Sequence, residues 1–294
     1  MRAPILLVVP LTVFALSAQQ APEGWQAHRD LAYIRHGTAR QTLDLYLPPA
    51  AGKRPLVIWV HGGAWRSGDK SDPLPLRLLA GENYAIAAVA YRLSGMAKFS
   101  AQIEDLKAAV RWLRVHAAEY SLDPDRFAVW GASAGGHLAA LLGTAGGKFD
   151  LGENIGVSSR VQAVVDYYGP TAFLEMDAHA LPAAPFQHDA PDSPESQLIG
   201  GPIRENDLAV ARANPAVYAT KDDPPFLIVH GDQDPLVPLH QSQILLEALR
   251  RAGVKANLYI VKGAGHGAGF EQDSAIVPMV KKFLAEALGE ARSR

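Results

Sequence analysis

Short, continuous apolar runs recur along the chain, separated by amphipathic stretches. Leu56-Val-Ile-Trp-Val60, Tyr84-Ala-Ile-Ala-Ala-Val-Ala-Tyr91, Phe127-Ala-Val-Trp130, Val161-Gln-Ala-Val-Val165, Phe226-Leu-Ile-Val229 and Asn257-Leu-Tyr-Ile-Val261 have the character of strands buried on both faces, as in a parallel sheet. Residues 29–36 and 41–47 read as two further strands. In the second of these, Leu43, Leu45 and Leu47 alternate with Thr42, Asp44 and Tyr46, and Pro48-Pro49 closes it. The short Gly-containing link between the two predicts an antiparallel hairpin.

Helical spacing fills the gaps. Ile103, Leu106, Val110, Leu113 and Ala117 recur on one face of residues 101–118, with charges on the other. Residues 137–143 form a short apolar helix. Ile244, Leu245, Ala248 and Leu249 mark residues 240–251, which Gly253 stops. Residues 275–288 give the last helix. Strands alternating with helices imply right-handed crossovers and a doubly wound sheet, with any ligand beyond the carboxyl ends of the strands. Residues 170–215 break the rhythm. They are rich in Pro, Ala, Asp and His, and read as a small cap insertion over the site, too short and polar for a core of their own.

Length and composition add limits. A chain of 294 residues with 48% hydrophobic and 20% charged residues is ordinary for a globular protein, and the fold reads as one domain over 19–294. The formal net charge of −2, with no long run of one sign, points away from nucleic acid or an anionic membrane surface as partner. The absence of cysteine excludes disulfides, thiolate metal sites and a Cys nucleophile. At the N-terminus, Arg2 precedes an apolar stretch from Pro4 to Leu16 and the small residues Ser17-Ala18. This predicts a secretory signal peptide over 1–18, hence a secreted or periplasmic protein without a stable membrane anchor.

The chemistry-bearing motifs all follow predicted strands. Gly131-Ala-Ser133-Ala-Gly135-Gly136 stands between a strand and a helix, the context of a G-x-S-x-G nucleophile turn. The bare pattern arises by chance in roughly one chain of this length in ten, so the context carries the reading. A sharp turn lifts the Ser133 hydroxyl clear of the sheet, and a side chain two residues to either side would clash. His61-Gly62-Gly63-Ala64-Trp65 resembles the HGGG-type oxyanion loop of esterases and lipases, with Ala64 in place of the third glycine. The N–H groups of Gly63, Ala64 and Ala134 are the candidate oxyanion donors. His61 reads as a support for the loop, and Trp65 as a wall of the acyl pocket or an ordinary packing residue.

His230-Gly-Asp232-Gln-Asp234-Pro-Leu-Val-Pro238 places two carboxylates at a strand end. Asp234 is favoured as the orienting acid, because Asp-x-x-Val-Pro resembles the acid loop of this fold, and Asp232 as a turn-former. His266, in Gly263-Ala-Gly-His-Gly267, sits on a glycine loop after the last strand, where packing explains it poorly. Of the ten histidines, His28, His36, His116 and His240 read as exposed, while His179 and His188 lie in the cap within reach of a substrate. No metal spacing or nucleotide-binding loop is visible.

The order Ser133, Asp234, His266 is that of α/β-hydrolases. From about residue 30 to 288 the chain resembles that superfamily. His61–Trp65, Gly131–Gly136, Asp166-Tyr-Tyr-Gly-Pro170 and the Asp234 loop are similar to the feruloyl/acetylxylan esterase-like group and, more distantly, to hormone-sensitive-lipase-like esterases, whose large N-terminal cap is missing here. The resemblance implies an α/β-hydrolase fold with a mostly parallel sheet and helices on both faces. It also implies a serine carboxylesterase for short or aromatic acyl esters, including those of plant polysaccharide, needing no cofactor. Trp65, Tyr167, Tyr168 and Phe186 are candidates for the walls of an aromatic acyl pocket. A related amidase, arylformamidase or peptidase shares the same triad, and a non-catalytic binding module is the alternative outside the enzymes.

Overall fold

The computed structural model describes residues 21–49, 51–71 and 73–289; the expected signal segment lies outside them. The chain runs β1 (Gln26–Ala32), β2 (Thr42–Leu47), β3 (Arg54–Val60), α1 (Leu74–Leu78), β4 (Ala85–Val89), α2 (Ala101–Val115), β5 (Leu122–Ala132), α3 (Ala134–Thr144), β6 (Ala163–Tyr167), α4 (Pro194–Ile199), α5 (Asp207–Ala213), β7 (Phe226–Gly231), α6 (His240–Arg251), β8 (Ala256–Val261) and α7 (Ile276–Leu288). The strands form one eight-stranded sheet in the order β1-β2-β4-β3-β5-β6-β7-β8. β1 pairs antiparallel with β2, and β2 antiparallel with β4. The rest is parallel. This is the α/β-hydrolase fold expected from the sequence.

Side chains of α2, α3 and α6 pack on one face of the sheet, through residues such as Ile103, Leu106, Leu138, Leu141, Leu245 and Leu249. The other face is covered by α1 and α7, through Leu76, Ile276, Val280 and Leu284. Burial on both faces explains why β3, β4 and β6 are apolar throughout or nearly so. β2 differs from its sequence pattern: Asp44 and Tyr46, on the face opposite the leucines, are buried as well. Asp44 is satisfied there by Lys70 at 2.7 Å and Arg29 at 3.1 Å, so the alternation marks two buried faces rather than one wet face.

Residues 170–215 form α4, α5 and several single 3-10 turns. They add Phe173, Met176, Leu198, Ile203, Val210 and Ala213 to the main core. The segment shares the main core and is packed rather than loose. Among the described residues, no helix is long and apolar enough to cross a membrane.

Candidate active site

Every chemistry-bearing loop leaves the sheet at a strand's carboxyl end. β5 passes into α3 through Ser133, whose backbone is held at φ 56° and ψ −123°. A non-glycine residue in this region is strained by about 1–3 kcal/mol. The surroundings enforce the turn. A Cβ on Gly131 would lie 2.0 Å from the Gly135 carbonyl oxygen, and one on Gly135 would lie 2.1 Å from that of Val60. Neither position admits a side chain, so β3, β5 and α3 can approach closely only with glycine at both. Ser133 N–H donates to the Tyr167 carbonyl at 2.8 Å and pins the turn to β6.

Ser133 Oγ–H donates to His266 Nε2 at 2.9 Å, and His266 Nδ1–H donates to Asp234 Oδ2 at 2.7 Å. The other oxygen of Asp234 accepts the backbone N–H groups of Leu236 at 2.8 Å and Val237 at 2.9 Å. Asp232 turns away: it accepts from Gly263 N–H at 2.7 Å and pairs with Lys262. Burial alone would raise the Asp234 pKa. Hydrogen bonds from His230, His266 and Val237, with the charge of His266, outweigh it and hold the carboxyl well below its usual range. An acid so held stays ionised and fixes the imidazole with Nε2 free to accept from serine.

The oxyanion loop follows β3. Gly63 has φ 105°, and Ala64 and Trp65 share the left-handed region at 53° and 56°. Ala64 thus takes a conformation that the third glycine of the HGGG pattern would adopt without strain. Among the described residues, the N–H groups of Gly63, Ala64 and Ala134 have no backbone partner. Ala134 opens α3, where first-turn N–H groups are free by geometry. His61 is buried under this loop. Its ring stacks on Tyr91 with centroids 4.4 Å apart, donates from Nδ1 to the Gly62 carbonyl at 2.7 Å and accepts from Arg40 at 3.1 Å. Burial pulls its pKa down to about 4.

These groups open into a cavity of about 520 Å³. Trp65, Tyr168 and Phe186 line it; Trp65 is buried, its indole N–H donating to His137 Nδ1 at 3.2 Å. Tyr168 lies with its ring 4.5 Å from that of His266. Tyr167 does not reach the cavity. It shares the α7-facing side of β6 with Ala163 and Val165 and packs against Trp130 and Phe270, because successive strand residues face opposite ways. His188 lines the cavity, whereas His179 stacks on His240 instead. His36 is exposed as expected; His28, His116 and His240 are half-buried.

With this geometry in hand, the comparison with known proteins is direct. Residues 43–249 match the family BD-FAE. The chain belongs to that family. It is an α/β-hydrolase of the feruloyl/acetylxylan esterase-like group, and its residues 206–293 also match the TAP-like protein family. A truncated carbohydrate esterase from gut microbiota superposes with TM-score 0.80 at 31% identity, covering 90% of this chain and 97% of that one. A bifunctional GH43-CE protein of Bacteroides eggerthii superposes equally well at 32% identity, covering 90% of this chain and 38% of that one. In Mycobacterium tuberculosis, the probable carboxylic ester hydrolase LipM is 30% identical over 290 residues, 94% of this chain and 64% of LipM. The chain thus spans a little under two thirds of that curated relative.

Two residues of this BD-FAE member were not singled out by the sequence. His230, fully buried, donates from Nε2 to the Val237 carbonyl at 2.8 Å and stands 3.3 Å from Asp234 Oδ2, while Ser242 donates to its Nδ1 at 2.7 Å. The signal was available: His230 is two residues after the buried Ile228 on the same strand, so both face α6. The other is Glu195, buried at the cavity wall. Ser193-Pro194-Glu195-Ser196 carries a legible helix start, and the Ser193 hydroxyl oxygen accepts Ser196 N–H at 3.0 Å.

Proposed function

We propose that the protein is a serine carboxylic-ester hydrolase that works through an acyl-enzyme on Ser133. The observation that carries this reading is the continuous Ser133–His266–Asp234 chain, with links of 2.9 and 2.7 Å, at the cavity. Ser133 Oγ attacks the ester carbonyl while His266 Nε2 takes its proton. Asp234 stabilises the imidazolium, and the N–H groups of Gly63, Ala64 and Ala134 receive the tetrahedral oxyanion. His266 then protonates the leaving alcohol. Water repeats the sequence on the acyl group and frees Ser133. The base must be neutral to take the serine proton.

The substrates in this reading are short-chain or aromatic acyl esters, including acetyl or feruloyl esters of polysaccharide. Support comes from a cavity in the size range of small-molecule sites, walled by Trp65, Tyr168 and Phe186, and from the carbohydrate esterase among the structural relatives. Export by the N-terminal segment belongs to the same proposal. The test is kcat/KM for p-nitrophenyl acetate, methyl ferulate and the matched p-nitroanilide, with Ser133→Ala as control. Ester turnover that far exceeds anilide turnover and is lost in the variant is expected. Anilide turnover matching the esters would make the protein an amidase, and a fully active Ser133→Ala would remove the nucleophile.

A further inference from the structure

Two buried polar side chains at the cavity wall are not used by the triad. His188 and Glu195, 2% and 3% exposed, line the cavity beside the apolar Phe186 and Pro194. His188 Nδ1–H donates to Glu195 Oε1 at 3.0 Å, and the Leu236 carbonyl lies close to the same ring. Burial pulls the imidazole pKa down, but the hydrogen bond and charge of Glu195, the charge of Asp177 and the Leu236 carbonyl outweigh it and leave it raised. One oxygen of Glu195 is committed to this pair. The other, Oε2, is buried and has no hydrogen-bond partner among the described residues.

A buried acceptor left unpaired costs about 1–3 kcal/mol, and more when it is charged. Such a group calls for an explanation, and one on a cavity wall has a ready one in a donor that arrives with a ligand. The position of the pair narrows the donor. Leu236 belongs to the acid loop: its N–H donates to Asp234, its carbonyl lies close to His188, and it lines the cavity with the pair and His266. The pair therefore stands on the His266 side of the cavity, where a leaving alcohol must lie for His266 to protonate it.

We infer that Glu195 is a specificity-determining residue for the alcohol half of the substrate, its free oxygen accepting a hydrogen bond from a hydroxyl next to the ester. His188 is a positioning residue that fixes the carboxylate. The inference rests on the ester-hydrolase reading and sharpens it: the preferred substrates are partly acylated polyols such as sugars, not esters of simple alcohols.

The test compares cyclohexyl acetate with cis-2-hydroxycyclohexyl acetate, which give the same acyl-enzyme and differ by one hydroxyl. Wild-type enzyme should favour the hydroxylated ester by about 10-fold or more in kcat/KM, since a site built to bond a hydroxyl discriminates against its absence. E195M, which removes the free acceptor and leaves no polar group in its place, should bring the ratio close to one. A wild-type ratio near one overturns the proposal without recourse to any variant. A normal ratio in E195M overturns it too. If wild-type enzyme hydrolyses neither ester, the ester-hydrolase reading itself falls, an outcome distinct from hydrolysis without preference.

Discussion

At Ser133 the backbone is bent into a conformation that few serines adopt, and two glycines exist to permit it. The sequence made this legible because the steric requirement leaves a pattern: only glycine fits where a Cβ would meet a carbonyl oxygen at about 2 Å. His266 was legible for the opposite reason, since a histidine among glycines on a loop has no packing role. The choice between Asp232 and Asp234 depended on which loop oxygen reaches the imidazole, and the structure brings Asp234 to 2.7 Å. Asp234→Asn should lower kcat by about 10³–10⁴-fold, as removing the orienting carboxylate does in a serine protease triad. Asp232→Asn should stay within about threefold of wild type, because Asp232 only ties a turn. Steady-state kinetics on p-nitrophenyl acetate separates the two; a larger loss from Asp232→Asn would reverse the assignment. Tyr167 was named beside Tyr168 as a candidate wall because neighbouring tyrosines look alike in sequence; only Tyr168 lines the cavity, and Tyr167 faces the other side of the sheet.

At the scale of elements, the strands and long helices were readable to within a few residues because their apolar periods are strong. The short helices α4 and α5 were not, because helices of 6 and 7 residues leave little period to detect. Junctions between elements depend on buried groups in particular protonation states. His137 of α3 accepts from Trp65 of the oxyanion loop and donates to the Ala213 carbonyl at 2.7 Å, joining three segments. Burial lowers its pKa from 6.5 to about 4, as for His61. Both histidines bind protons more readily when unfolded. Their contribution is complete above about pH 6.5 and is lost as pH falls towards 4. Asp166 acts in the opposite sense. Burial raises its pKa to about 6, so its contribution is present below 3.8 and lost as pH rises through 6. Two histidines outweigh one aspartate, so the thermal midpoint should fall from pH 7 to pH 4.5, and His137→Gln should flatten that fall. Scanning calorimetry across this range checks it; a midpoint that rises on acidification would contradict the assignment.

For the whole molecule, sheet topology turns distant sequence positions into one site. Ser133, Asp234 and His266 are separated by more than a hundred residues at the extremes, yet β5, β7 and β8 end side by side with β6 between β5 and β7. The parallel order places all three loops at one edge, and the antiparallel β1 and β2 extend the sheet away from it. That arrangement followed from the alternation of strands and helices. The cavity wall did not, because residues 170–215 reach it through local turns with no repeating pattern. In the proposed reading, substrate selection belongs to that wall and bond cleavage to the sheet edge.

The central claim, that Ser133 is an activated nucleophile, is tested most directly by mass spectrometry of the intact protein after reaction with a fluorophosphonate. The account predicts a single adduct, mapped to the peptide containing Ser133 and absent from Ser133→Ala. A folded wild-type protein that takes up no adduct, or carries it on another residue, would contradict it.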